Sequence, residues 1–182
     1  MKRIAGITLG LIFVAGLAAA TAHYNGWSRV NREFLSGFEE VPVVSTPAHA
    51  KFIARINHDK TEIEYWLTYD DLNGTGTITQ SHIHLGDKGT NGGIMLWLCG
   101  TATNPGPAGT PACVGPGELL SGTLTAANVV GPTAQLVAAG EWEEALRAIK
   151  AGKTYVNIHT TSVGSGELRS QITAGDDHGD HK

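Results

Sequence analysis

Charge is scarce in this 182-residue chain, and positive charge is the scarcer kind: 16% of residues are charged, 13 basic against 17 acidic, for a formal net charge of −4. Two of the basic residues, Lys2 and Arg3, stand in front of an N-terminal apolar run, so losing that segment would move the balance two charges further negative. A chain of this kind lacks the cationic surface that a phosphate backbone demands, and no nucleic-acid partner is expected. There is no G-x-S-x-G, no Cys–His nucleophile pair and no phosphate-binding glycine loop. What is present is 24 glycines and 41% hydrophobic residues. That is enough to close a core, because a domain of about 150 residues buries roughly 70% of its unfolded surface, and the mixture suits one domain that is neither disordered nor built of long helices.

The run Ile4–Ala20, preceded by Lys2-Arg3, broken by small residues and ending in Ala-Thr-Ala, has the charge, length and exit chemistry of a secretory signal peptide over residues 1–22. A membrane anchor is the competing reading, since the run approaches the roughly 20 residues that span a bilayer. Ala20-Thr21-Ala22 is the A-x-A site and Ala18-Ala19-Ala20 its competitor; a periplasmic or secreted location follows. Cleavage after Ala22 would make His23 the mature N-terminus, with an amine and an imidazole that suit copper, ahead of a linker over 23–32. Cys99 and Cys113, the two cysteines of the chain, would then meet an oxidising compartment and flank a Gly/Pro-rich loop. A disulfide is the natural pairing, and closing such a loop is worth on the order of 3 kcal/mol. Two soft metal ligands are the rival, although the spacing is unlike a zinc knuckle.

Alternation of period two recurs between turn residues. Glu33–Phe38 leads into Glu40-Val41-Pro42-Val43. Ala50–Asn57 carries Ala50, Phe52, Ala54 and Ile56 on one face, turns at His58-Asp59-Lys60, and returns as Glu62–Tyr69 with Ile63, Tyr65, Leu67 and Tyr69 inward, a hairpin. Asn73-Gly74-Thr75-Gly76 precedes a strand over Thr77–Leu85, and Gly86–Gly93 connects it to Ile94–Cys99, where Ile94, Leu96 and Leu98 share a face. Glu118–Leu124 follows the Cys-bounded loop, with Thr125 capping a turn at Ala126–Asn128. Glu141–Ala151 is the one helical pattern, with Trp142, Ala145, Leu146 and Ile149 on one stripe, acids in the first turn and Gly152 after the end. Thr154–Thr160 and Gly166–Thr173 complete an all-β Greek-key sandwich or barrel of about seven to nine short strands with one short helix late in the chain.

His82-Ile83-His84 puts two imidazoles on one face of a strand, roughly 6.5–7 Å apart along the chain, and His159 shares a face with Tyr155 and Asn157 on a strand that could lie alongside. Three neutral imidazoles suit copper or zinc, with the Irving–Williams order favouring copper. The competing reading is a structural cluster hydrogen-bonded to Thr79, Ser81 and Asn157. Elsewhere, His178 and His181 with Asp176, Asp177 and Asp180 form an acidic tail over 175–182 that reads as solvated rather than metal-binding. Glu39 and Glu40 beside Val41-Pro42, and Glu167 with Arg169, are either a partner-binding edge or exposed salt bridges, the second being preferred. Tyr65, Trp66, Tyr69 and Trp97 belong to core and sheet surface rather than to a carbohydrate platform, and the glycines of Gly86–Gly93 serve turn geometry rather than an anion.

Four segments in order, Phe38-Glu39-Glu40-Val41-Pro42, Ser81-His82-Ile83-His84-Leu85-Gly86 with Gly89-Thr90-Asn91-Gly92, Gly152–Thr160, and Gly166-Glu167-Leu168-Arg169-Ser170-Gln171, make the chain resemble the CHRD domain family over roughly Glu33–Thr173. Val43 stands where the family usually has a second proline, and Ser170 where it usually has glycine. The resemblance implies an all-β exported domain, a partner-binding module without a settled activity. His82-x-His84 with Gly86-Asp87 and Thr90-Asn91-Gly92 is also similar to the copper-ligand strand of copper–zinc superoxide dismutase, yet no histidine lies between His84 and His159 to bridge a second metal. The leading expectation is an exported β-sandwich binding module whose histidines hold copper or zinc, with a metal ion or an extracellular protein as partner. A small redox metalloenzyme of dismutase-like architecture and a purely structural adhesion or matrix domain are the rivals.

Overall fold

The computed structural model describes residues 28–70 and 76–173. The expected signal peptide 1–22, His23, turn residues Asn73, Gly74 and Thr75, and the tail 175–182 with His178 and His181 lie outside the described residues. Among the described residues eight strands form: β1 (Ser28–Leu35), β2 (His49–Ile56), β3 (Ile63–Asp70), β4 (Ile78–Leu85), β5 (Gly93–Gly100), β6 (Leu120–Leu124), β7 (Thr154–Thr160) and β8 (Leu168–Ile172), with the helix α1 (Trp142–Lys150) before β7. They pair antiparallel in two sheets, ordered β1-β2-β3-β6 and β5-β4-β7-β8. The β3–β6 and β4–β7 neighbours are not consecutive in the chain, as a Greek-key sandwich requires. The sheets stay open, so the sandwich and not the closed barrel is formed. At one corner the chain leaves β1 and joins the other sheet, where Ser36 and Arg169 exchange backbone hydrogen bonds of 3.0 and 3.2 Å.

The alternation read from the sequence fixes which faces meet. Ala50, Phe52, Ala54 and Ile56 of β2 and Ile63, Tyr65, Leu67 and Tyr69 of β3 are all buried, against Ile83, Leu96, Leu98, Val156 and Ile158 of the second sheet. The strand expected to begin at Glu33 begins at Ser28, inside the stretch expected as linker. Strand β5 departs from strict alternation, for Met95, Leu96, Leu98 and Cys99 are all buried while Ile94 is only half-buried. Its register against β4 slips twice, between Ser81 and His82 and between Ile83 and His84. Each slip inserts an extra β5 residue and re-aims the side chains around it.

Helix α1 buries Trp142, Ala145, Leu146 and Ile149 as its stripe predicts. Trp142 ties it to the β2–β3 hairpin by donating from Nε1 to the Lys60 carbonyl at 2.6 Å. Gly152 ends it at φ +67°, a left-handed turn that glycine adopts without penalty. Thr125 sits as expected at the head of a single 3₁₀ turn, Ala126–Asn128, donating its backbone N–H to Asn128 Oδ1 at 2.8 Å. Cys99 and Cys113 are disulfide-bonded with Cα atoms 4.9 Å apart, pinning the 100–112 loop to the end of β5. Among the described residues no helix is long and apolar enough to cross a membrane.

Candidate metal centre

Strand β7 is buried on both faces along its whole length, and its two faces are chemically opposite. Val156 and Ile158 enter the hydrophobic core, while Tyr155, Asn157 and His159 form a polar layer on the other side. The β4 register places His82 opposite Asn157 and His84 opposite Tyr155, with His159 opposite Gln80. Two histidines two residues apart on one strand and a third diagonal to them on its neighbour therefore converge. Their ring centroids are 5.3 Å (His82–His84), 5.0 Å (His82–His159) and 6.2 Å (His84–His159) apart. One nitrogen from each ring lies within 4.8 Å of those of the other two. A metal at about 2.0–2.1 Å from each nitrogen requires separations of roughly 3.3–3.6 Å, so the rings would have to close by about an ångström to share one ion.

Burial and hydrogen bonding prepare these rings. His82 is fully buried, and His84 and His159 are 7% and 8% exposed. His84 Nδ1 lies 3.0 Å from the Gly92 carbonyl and His159 Nδ1 lies 3.0 Å from the Gly164 carbonyl. A carbonyl only accepts, so both rings carry their proton on Nδ1 and present an unprotonated Nε2. Among the described residues, neither Nε2 of His84 and His159 nor either ring nitrogen of His82 has a hydrogen-bond partner. Buried polar atoms left without partners are uncommon and mark strain, chemistry or a missing ligand. Burial, then repulsion from His159 and His84, pushes His82 down to about 2. Burial holds His84 near 4 against the Gly92 carbonyl, which raises it, with His159 and Arg169 adding to the depression. Burial likewise lowers His159, against the Gly164 carbonyl. All three rings are neutral at pH 7, the form that binds metal.

The sequence pattern did not reveal the wall around the cluster. Trp97 meets His82 edge-on at 4.2 Å between centroids, and Tyr155 stacks on His84. Arg169 donates from Nη2 to the carbonyls of Asp87 and Thr90 at 3.0 and 2.6 Å and from Nη1 to Asn91 Oδ1 at 3.3 Å, holding the Gly86–Gly92 turn over the layer. Gly92 belongs there because a Cβ would come within 1.6 Å of the Leu85 carbonyl. Asn157 donates from Nδ2 to Glu40 and to the Leu168 carbonyl. Glu167 accepts from the hydroxyls of Thr46 at 2.6 Å and Thr160 at 2.7 Å.

Several expectations about this neighbourhood need correction. Glu167 and Arg169 do not form an exposed ion pair, nor do they line a free edge: they are 0% and 1% exposed and bond to hydroxyls and carbonyls instead. Glu40 is also buried, and only Glu39 makes the exposed kind of bridge, to Lys88 at 2.9 Å. Residues this close to the turns are buried because the loops fold back over the outer face of the second sheet, which a strand-by-strand reading treats as solvent. Ser81 and Asn157 do bond, through Ser81 Oγ and the Asn157 carbonyl at 2.8 Å, but that contact uses no imidazole. Tyr65 and Tyr69 are core residues, and Trp66 lies under Arg55 at 4.6 Å on the sheet surface.

Fold and site together define an antiparallel β-sandwich with a buried three-histidine cluster, roofed by loops, on the outer face of one sheet. The family model described as the CHRD domain matches residues 33–172, a span that contains the cluster and the disulfide, and the chain belongs to the CHRD domain family. Neither the curated proteins nor the solved structures include a match to it.

Proposed function

We propose that this CHRD domain is an exported binding module that holds one copper or zinc ion on His82, His84 and His159. The observation that carries this reading is the convergence of buried imidazole nitrogens that have no other partner, two of them turned ligand-side out by backbone carbonyls. A metal-ligating histidine commonly donates its second N–H to a carbonyl or carboxylate, which fixes both tautomer and ring plane. A hydrogen-bonded structural cluster would instead satisfy these atoms with one another or with side chains. Export is supported by Lys2-Arg3 ahead of Ile4–Ala20 and agrees with a disulfide, which persists in oxidising compartments.

The test is metal analysis of tag-free protein purified with its own leader, alongside a His159→Ala variant and a variant lacking residues 177–182. One equivalent of copper or zinc that survives tail removal and is lost with His159→Ala is the expected result. Metal that follows the tail and ignores His159 would overturn the reading. N-terminal sequencing of the same material decides export, with a start at Thr21 or His23 expected.

A further inference from the structure

We infer that the site is selective for the monovalent cation, cuprous copper, over Zn²⁺ and Cu²⁺; this deepens the reading above and rests on it. The argument is one of charge and coordination number. The three candidate ligands are imidazoles, which bind a metal through an uncharged ring nitrogen, so none of the ion's charge is cancelled by the atoms that touch it. Three acidic or basic residues besides the histidines are buried around the layer among the described residues, Arg169, Glu40 and Glu167. Each is held by neutral groups, Arg169 by the Asp87 and Thr90 carbonyls, Glu40 by Asn157 and Glu167 by the Thr46 and Thr160 hydroxyls. Neither carboxylate is among the candidate ligands, while the surface pairs Lys88–Glu39 and Lys153–Asp87 at the rim cancel. Arg169, stacked on Tyr155 behind His84, also opposes added positive charge there, since like charges repel most strongly where water is excluded.

The charge of the ion is therefore left to be solvated by a low-dielectric layer. The Born cost grows as the square of the charge, making a dication about four times as expensive to bury as a monocation. Coordination number points the same way. Zinc completes a tetrahedron and cupric copper a tetragonal set, but among the described residues the group capable of holding a metal comprises three histidines and no carboxylate. The indole of Trp97, edge-on to His82 at 4.2 Å between centroids, offers no metal ligand either. Cuprous copper is satisfied by three ligands. Selection here comes from neutrality and a low ligand count rather than from sulfur.

The experiment uses the full chain and a His159→Asn variant. Anaerobic metal-free protein receives one equivalent each of Cu⁺, kept reduced by ascorbate, and Zn²⁺; it is desalted and its metals are counted, and the potential of the copper-loaded protein is then measured. Copper retained at one equivalent with zinc excluded is expected, together with a Cu⁺ affinity about a hundredfold above that for Cu²⁺, which raises the couple by about 118 mV over aqueous copper at 59 mV per tenfold. Zinc retained in place of copper, or a couple at or below the aqueous value, overturns the selectivity while leaving a metal site on these histidines. Metal retained equally by His159→Asn, or no metal retained at all, overturns the reading of the site itself.

Discussion

Tyr155 lies flat on His84, ring centroids 4.7 Å apart and planes within 4° of parallel, while the guanidinium carbon of Arg169 sits 3.4 Å from the centre of the same tyrosine ring. Two groups stacked that closely cannot share one side of a ring, so the phenol is sandwiched between cation and imidazole. Its hydroxyl accepts from the Gly92 N–H at 3.2 Å, and the Gly92 carbonyl in turn accepts from His84. The orientation of one candidate ligand is thus set twice, by a stacked face and by a carbonyl. Both supports depend on the turn that Arg169 holds in place.

Replacing Arg169 should therefore cost more than its surface neighbours do. Arg169→Ala removes charge-assisted hydrogen bonds to the Asp87 and Thr90 carbonyls and the cation on a tyrosine face, a loss of about 3–5 kcal/mol at roughly 1.5–3 kcal/mol per such bond. Arg169→Lys keeps the charge but not the planar fork, and should recover less than half of that. Urea midpoints of the three proteins, read with constant m-values, check the order. Equal stability of Arg169→Lys and wild type would mean that charge alone, and not the fork, holds the turn.

The neighbouring glycines separate backbone crowding from backbone conformation. At Gly92 a Cβ would collide with the Leu85 carbonyl at 1.6 Å, whereas at Gly89 it meets nothing within 4 Å and faces only φ +76°. Gly89→Ala should cost about 1–2 kcal/mol, the penalty of a left-handed alanine. Gly92→Ala should cost more and also weaken metal binding, because it displaces the carbonyl that orients His84. Titrations showing unchanged metal affinity in a folded Gly92→Ala protein would sever the turn from the site.

Much of this architecture is legible in the sequence because antiparallel strands with one buried face write their period directly: burial alternates from Ala50 to Ile56 and from Ile63 to Tyr69, and in the sequence the apolar Ile53 and Trp66 interrupt the pattern without hiding it. The helix is legible for the same reason, through a stripe of four apolar residues and a terminal glycine. The histidine face is legible too, since His82 and His84 share parity and His159 shares it with Asn157. What does not show is the roof. Burial of Glu40, Glu167 and Arg169 arises from loops far apart in the chain, Thr46 reaching Glu167 and Asp87 reaching Arg169, and no local period encodes such contacts. Strand β5 fails for a local reason, its two register slips, which shift parity midway along the strand.

Reduction of the disulfide tests a different part of the sandwich. Cys99 is fully buried at the end of β5, two residues beyond Trp97, and the bond closes a sequence separation of 14. Cys99→Ala/Cys113→Ala should lose about 3 kcal/mol, the loop-closure entropy restored to the unfolded chain, and should fold to the same sandwich. Thermal unfolding with and without reductant measures it. A double variant as stable as wild type would show that packing of the 100–112 loop, and not the crosslink, carries that end of β5.

The pH dependence of the metal-free protein follows from four buried groups with opposed signs. His82, His84 and His159 have folded-state values pushed below the ordinary histidine range, chiefly by burial, so the unfolded chain takes up their protons first. The stability they contribute is present above about 6.5 and is lost as pH falls from there towards the folded values, about 4 for His84 and about 2 for His82. Glu40 works in reverse. Burial raises it from 4.5 to about 7, outweighing Arg169 and the Asn157 hydrogen bond, so its contribution is present below 4.5 and is lost as pH rises through 7. Around pH 5 to 5.5 the unfolded chain holds nearly two extra protons on His82 and His84 and the folded chain nearly one on Glu40, a net difference of about one, to which His159 adds in the same direction. Stability should fall with acidification on the order of 1–2 kcal/mol per pH unit around that point. Urea midpoints at half-unit intervals measure the slope, and His82→Phe should reduce it by about one proton's worth. A slope that is flat, or that rises towards acid, would mean the histidines are already charged in the folded state. Adding saturating metal should lift stability most at neutral pH, because only neutral imidazoles bind it, and the lift should disappear in acid ahead of unfolding.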